Sequence, residues 1–260
     1  MLKFAVTGKT VLVTGANRGI GRAFVESLVK HGARKVYACV RDPVSFAELA
    51  AINNKIVEPL RLDVTQNDHI LTLTSQLTPL DLLINNAGIA NACYSSDAKA
   101  SAIARTEMET NYFGPLNLIL ALLPLLKKSH GAIINISSIA GISNFPSLGP
   151  YSATKAALHS LTQGLRAELN AQGILVAGVY PGPIDTRMTE NFEMEKAPAS
   201  QVAEATLNAI SEGIVDIYPD SFSMQMHALF LKDPKALAQL KNLMWNSHIC
   251  KLLLQSFGVF

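Results

Sequence analysis

Apolar residues alternate between two spacings along this chain. "TVLVTG" (10–15) is a short unbroken apolar run, rich in β-branched residues and closed by glycine, as in a strand buried on both faces. Residues 20–31 then place Ile20, Phe24 and Leu28, with Val25 and Val29, at helical spacing. The alternation continues. "KVYACV" (35–40) predicts a second strand, residues 44–51 a helical stretch, and "VEPLRLDV" (57–64) a third strand. A helix near 67–77 leads to a fourth strand, "LDLLIN" (80–85). One long helix is expected over 101–128, a fifth strand at "AIINIS" (132–137), a second long helix over 151–171 and a sixth strand at "ILVAGVY" (174–180). Beyond residue 186 the pattern loosens. "VAEATLNAI" (202–210) predicts a helix, "IVDIYP" (214–219) a last strand, and 221–260 helical stretches with an apolar end.

Strands that alternate with helices, and are themselves almost wholly apolar, are what a parallel sheet covered on both faces requires. The expected fold class is therefore α/β. It is a single doubly wound parallel sheet, Rossmann-like, with strand order near 3-2-1-4-5-6-7 and helices on both flanks. No repeat or linker divides it, so residues 1–260 read as one domain, with 221–260 as an atypical C-terminal extension.

Composition narrows the function. With 49% hydrophobic and 16% charged residues, the chain can bury a large core. A net charge of +2 and the lack of any Lys/Arg-rich run give no nucleic-acid surface. Cys39, Cys93 and Cys250 are far apart and lack metal-ligand spacing, so they read as packed thiols with no metal site. The most lipid-like run, "LNLILALLPLL" (116–126), falls short of the ~20 apolar residues that span a bilayer, so no membrane span is expected. "MLKFAVTGKT" has no long apolar core, and the expected location is cytoplasmic.

The first chemistry lies in "TGANRGIG" (14–21), where Gly15, Gly19 and Gly21 turn the first strand into the first helix. A helix N-terminus offers unpaired N–H groups and partial positive charge, and glycine lets a pyrophosphate approach the backbone. The second lies in "YSATK" (151–155). Tyr151 and Lys155 stand four apart and share a helix face. Reduction of a ketone needs a proton donor, and an ammonium beside a phenol favours phenolate. Ser138, 13 residues before Tyr151, can hold the substrate oxygen; Ser137 is its neighbour, but the spacing favours Ser138.

Taken in order, "TGANRGIG", "NNAG" (85–88), "ISS" (136–138), "YSATK" and "PGPIDT" (181–186) resemble the short-chain dehydrogenase/reductase family in its short form, over residues 8 to about 213. The resemblance implies catalytic roles for Asn111, Ser138, Tyr151 and Lys155, with Asn111 in "ETNYFG" holding a water that links the lysine to solvent. It implies cofactor contacts from Gly15, Asn17, Arg18, Gly19, Ile20 and Gly21 in the turn, and from Tyr151 and Lys155, the latter gripping the nicotinamide ribose. Asp63 and Val64 would meet the adenine, and Asn86 would steady the sheet. Pro181, Ile184 and Thr186 would form the loop at the nicotinamide carboxamide.

Cofactor choice depends on the end of the second strand, "CVRD". An acidic residue there binds a free ribose 2′-hydroxyl; here the slot falls on Val40, followed by Arg41. Arg41 and Arg18 can take a 2′-phosphate, so NADP(H) is expected. NAD(H) is the alternative, through Asp42. The implied activity is interconversion of a ketone or aldehyde and an alcohol by an NADP(H)-dependent carbonyl reductase or alcohol dehydrogenase. An NAD-dependent alcohol dehydrogenase of the same fold is a second reading. A non-catalytic dinucleotide-binding redox sensor is a third, and it would need a broken tetrad. Residues 187–200 read as a substrate lid, and Met188, Phe192 and Met194 in it suit an apolar or aromatic carbonyl. Where many members carry a glycine-rich tail that builds a tetramer, this chain has "GIVDIYPDSFSM". The expected assembly is a homodimer on the two long helices, or a homotetramer.

Overall fold

The computed structural model describes residues 1–77, 79–235 and 237. Six strands, β1 (Thr10–Thr14), β2 (Lys35–Val40), β3 (Val57–Arg61), β4 (Leu82–Asn85), β5 (Ala132–Ile136) and β6 (Leu175–Val179), alternate with helices. Two short strands, β7 (Ile184–Asp185) and β8 (Ala197–Pro198), pair only with each other, and β9 (Asp216–Ile217) returns to the main sheet. That sheet is parallel throughout, in the order β3-β2-β1-β4-β5-β6-β9. The expected order is observed, its seventh strand coming ninth along the chain.

Every residue of β1, β4, β5 and β6 is buried, which is why these strands read as unbroken apolar runs. Alternate residues serve opposite faces. Val11, Val13 and Ile84 pack under α1 (Gly19–Lys30), α2 (Phe46–Ala50) and α7 (Ala199–Glu212). Leu12, Leu83 and Ile133 pack under α3 (Asn67–Gln76), α5 (Gly114–Ser129) and α6 (Gly149–Leu169).

Two elements differ from the sequence pattern, and the tail bears it out as far as it is described. The helix expected over 101–128 is α4 (Ala100–Met108), a π turn at Glu109–Phe113, and α5. The third strand stops at Arg61 rather than 64, because Asp63 turns the chain over Thr65: its Oδ1 accepts from Thr65 N (3.0 Å) and Oγ1 (2.7 Å). The tail contributes α8 (Ser221–Lys232), capped by buried Asp220. One Asp220 oxygen accepts from Ser223 N and the other from Gly182 N, both at 2.8 Å, so α8 and the loop after β6 share one anchor. The helical stretches expected farther along the tail, and Cys250, lie outside the described residues. Cys39 and Cys93 are buried free thiols. Among the described residues, no helix is long and apolar enough to cross a membrane.

Candidate active site

The carboxyl ends of β1, β4, β5 and β6 bring the sequence motifs to one edge of the sheet. Gly15 and Gly19 adopt φ of +64° and +51°, the left-handed region glycine enters without strain. Gly21 is required by packing: a Cβ there would lie 2.1 Å from Gly15 O and 2.5 Å from Asn86 Nδ2. Asn86 stitches β4 to the turn, its Nδ2 donating to Thr14 O (2.9 Å) and Gly15 O (3.2 Å). Exposed Asn17 and half-buried Ile20 flank Arg18, and no side chain caps the first turn of α1, so its leading N–H groups stay open. Thr186 reaches the same place; a Cβ on Gly19 would be 3.0 Å from its methyl. The loop of Pro181, Ile184 and Thr186 therefore lies against the glycine turn.

Arg18 and Arg41 are both exposed, whereas the Val40 side chain is buried in the core. Asp42 is occupied, its carboxylate accepting from Val44 N (3.1 Å) at the start of a 3-10 turn. Burial pushes the Asp63 carboxyl up, but the two Thr65 hydrogen bonds and the charges of Arg41 and His69 leave it below its usual value. Arg41 and Asp63 are thus neighbours beyond the strand ends. Buried Val64 lies against the helix break, where a Cβ on Gly114 would be 2.8 Å from it.

Tyr151 and Lys155 are both buried on α6, with Lys155 Nζ 5.7 Å from the phenol ring centroid. Lys155 Nζ donates to Ile136 O at 2.8 Å. Ser138, just past β5, accepts from Ala140 N (3.1 Å) and reaches the Tyr151 phenol. Ser137 faces the other way: its hydroxyl donates to Lys155 O (3.0 Å) and fixes the α6 backbone. Burial pushes the Tyr151 phenol up to about 12; the Ser138 hydrogen bond pulls it down and the Glu107 charge adds to the rise. Burial also takes Lys155 down to about 8, against the charge of Glu107. In the protein alone, then, Ser138 rather than Lys155 favours phenolate.

Asn111 is fully buried in the π turn. Its Oδ1 accepts from Ile89 N (2.9 Å), and its Nδ2 donates to Ile89 O (2.9 Å) and Thr154 Oγ1 (3.0 Å). Glu107, one turn earlier, is a buried residue of this cluster that the sequence pattern did not reveal. Its Oε1 accepts from Asn91 N (2.6 Å) and Nδ2 (3.0 Å), while its buried Oε2 has no partner. The available signal was spacing: a carboxylate four residues before Asn111, on the same helix face. Of the expected lid 187–200, the stretch up to residue 196 leaves from β7 and returns at β8, whose pairing pins its ends together, and the last two residues already belong to α7. Met188 and Met194 on it are exposed and Phe192 is half-buried.

The sequence profile of the short chain dehydrogenase family matches residues 9–197. An uncharacterised oxidoreductase of Staphylococcus saprophyticus is 35% identical over 218 residues, covering 78% of this chain and 92% of that protein. An uncharacterised oxidoreductase of Bacillus subtilis, YusZ, is 37% identical over 187 residues, 68% of this chain and 66% of that protein. Among solved structures, a short chain dehydrogenase from Burkholderia cenocepacia in complex with NADP superposes with a TM-score of 0.86. It is 36% identical, and the match covers 92% of this chain and 99% of that one. A short chain dehydrogenase/reductase from Burkholderia phymatum in complex with NAD shares the fold, with a TM-score of 0.79 at 23% identity over 90% of this chain and 96% of that one.

Proposed function

This chain belongs to the short-chain dehydrogenase family, and we propose that it is an NADP(H)-dependent oxidoreductase interconverting a ketone or aldehyde and the corresponding alcohol. The observation that carries this reading is the meeting of Ser138, Tyr151 and Lys155 at the same sheet edge as the glycine turn. The turn fits a dinucleotide: its backbone is packed too closely for a Cβ at Gly21, and the first N–H groups of α1 are open to a pyrophosphate. Arg18 and Arg41 would hold the 2′-phosphate, Asp63 and Val64 the adenine, Lys155 the nicotinamide ribose, and Pro181, Ile184 and Thr186 the carboxamide. The cofactor supplies or accepts the hydride when bound.

The chain's own residues handle the proton. Tyr151 gives it to the substrate oxygen in reduction and takes it in oxidation. Ser138 holds that oxygen in line with the phenol. Lys155 keeps a positive charge on the same helix face, and Asn111 fixes the helix that carries both. NADP(H) is favoured over NAD(H) because the Asp42 carboxylate is engaged by Val44 N while Arg41 stays exposed. The NADP bound by the B. cenocepacia relative points the same way. Residues 187–200 would act as the substrate lid, offering Met188, Phe192 and Met194 to an apolar or aromatic carbonyl. Exposed Phe113 and Leu120 on the long helical pair suit the face of a homodimer.

The test is consumption of NADPH and NADH, side by side, with a panel of apolar and aromatic ketones. The expected result is oxidation of NADPH by at least one ketone, with NADH slower. Tight NADPH binding with no turnover across the panel would favour the sensor reading instead.

A further inference from the structure

Glu107 brings a charge into the catalytic cluster that the proposed reaction does not use. It lies on α4 one turn before Asn111, and α4 packs on α6. The residue is 0% exposed. A buried carboxyl is costly unless hydrogen bonds or a counter-charge satisfy it. Burial raises the Glu107 carboxyl above its usual value, while two N–H donors from Asn91 on one oxygen and the charge of Lys155 act the other way, toward the ionised form. The other oxygen is enclosed without a hydrogen bond. The cation that acts on this carboxylate is Lys155, and Tyr151 lies within the same field.

Titratable groups that share the field of the carboxylate include Lys155 and Tyr151 on α6 and Cys93 on the loop after β4. Asp97 and Lys99 act on Cys93 from that same loop. From β5, Lys155 meets the Ile136 carbonyl. Beside Gly88 lie both Asn111 Oδ1 and Lys155 Nζ, 3.2 and 3.6 Å from where a Cβ on that glycine would sit. A negative charge here favours ammonium at Lys155 and disfavours phenolate at Tyr151. Both effects select the state in which the phenol still has a proton to give.

We infer that Glu107 is a positioning residue that sets the direction of proton flow: its buried carboxylate, anchored by Asn91, holds the Tyr151–Lys155 pair as phenol and ammonium, ready to protonate a carbonyl oxygen. The inference rests on the oxidoreductase reading, but the charge state can be measured without turnover.

Glu107→Gln keeps the shape and the acceptor for Asn91 and removes the charge. The first measurement is the pH titration of Lys155 in cofactor-free protein, by NMR of lysine labelled at Cε and assigned with Lys155→Met. The midpoint should fall by about one pH unit in Glu107→Gln, the lower end of what one opposite charge contributes. The second is the pH profile of turnover. The alkaline limb of ketone reduction should move down with the Lys155 midpoint, and alcohol oxidation should set in at lower pH. Glu107→Asp retains the charge, so its midpoint and limb should stay close to wild type even if the rate falls. If Glu107→Gln does not fold, Glu107→Met, which also removes the charge, carries the same titration. An unshifted midpoint in Glu107→Gln, a uniform loss of rate at every pH, or a shift in Glu107→Asp would overturn the inference in an otherwise active enzyme. A shifted midpoint in a protein that reduces no ketone would instead overturn the functional reading, and the directional role with it.

Discussion

Asn111, at the centre of the π turn, donates a 3.0 Å hydrogen bond to Thr154, the residue just before Lys155. Thr154 Oγ1 donates in turn to Tyr151 O at 2.8 Å. The same amide brackets the backbone of Ile89 through its N–H and its C=O. One side chain thus joins the helix break, the loop after β4 and α6. Asn111→Ala would leave these buried groups unpaired, and such a group costs about 1–3 kcal/mol. Partial rescue by water brings the expected loss to about 2–4 kcal/mol in unfolding free energy. Urea denaturation of cofactor-free protein measures it. A loss below ~1 kcal/mol would show that the π turn is held by something else.

The sheet was legible because parallel strands covered on both faces have no polar side to write into the sequence. β1, β5 and β6 appear as bare apolar runs for that reason. The π turn was hidden, since one extra residue leaves the apolar spacing of α4 and α5 on either side undisturbed. Its cause is the bonding of Asn111 to Ile89, 22 residues away, which no local pattern contains. Glu107 was hidden likewise. On a helix a glutamate reads as solvent-facing, and its burial depends on Asn91 from the preceding loop. The choice between Arg41 and Asp42 turned on a register of one residue. The hydrogen bond from Val44 N to the Asp42 carboxylate, absent from any local pattern, is what the proposed choice of Arg41 draws on.

Tyr151→Phe removes the proposed proton donor and keeps the ring that fills the buried site. Turnover should fall by roughly 10²–10⁴-fold, the usual contribution of a positioned acid or base. NADPH affinity, followed by nucleotide fluorescence, should change little. A Phe variant that reduces ketones at near wild-type rate would remove Tyr151 from the mechanism.

Lys155 makes stability depend on pH. Burial lowers it to about 8, whereas the unfolded chain holds that proton to about pH 10.4. Between those values the unfolded state binds more protons, so stability rises with pH. The cost of burying the ammonium is fully present below pH 8 and is relieved above it. Tyr151 opposes this only above about pH 10, where the unfolded phenol ionises before the folded one. Relative to Lys155→Met, wild-type cofactor-free protein should therefore gain about 1–3 kcal/mol between pH 8 and about 10. Urea unfolding of both proteins across that range checks the sign. A flat difference would mean that the folded protein stabilises the ammonium as well as water does.

Arg41 should decide between the two nicotinamide cofactors. It stands exposed where the second strand ends, its charge acts on Asp63, and Arg18 is exposed in the glycine turn. A charge-assisted hydrogen bond to a phosphate contributes about 1.5–3 kcal/mol. Solvent and salt pull an exposed contact toward the lower end of that range. Two such contacts, discounted, still give a preference for NADPH on the order of 10²-fold. Arg41→Ala should lower kcat/KM for NADPH by about tenfold, one contact's share, and leave NADH nearly unchanged. Val40 is a poorer probe, because its side chain lies in the apolar core and a carboxylate there would act through folding. The preference should also shrink as salt rises, since both arginines face solvent. If wild type favours NADH, or Arg41→Ala weakens both cofactors equally, Arg41 is a surface charge and the phosphate is held elsewhere.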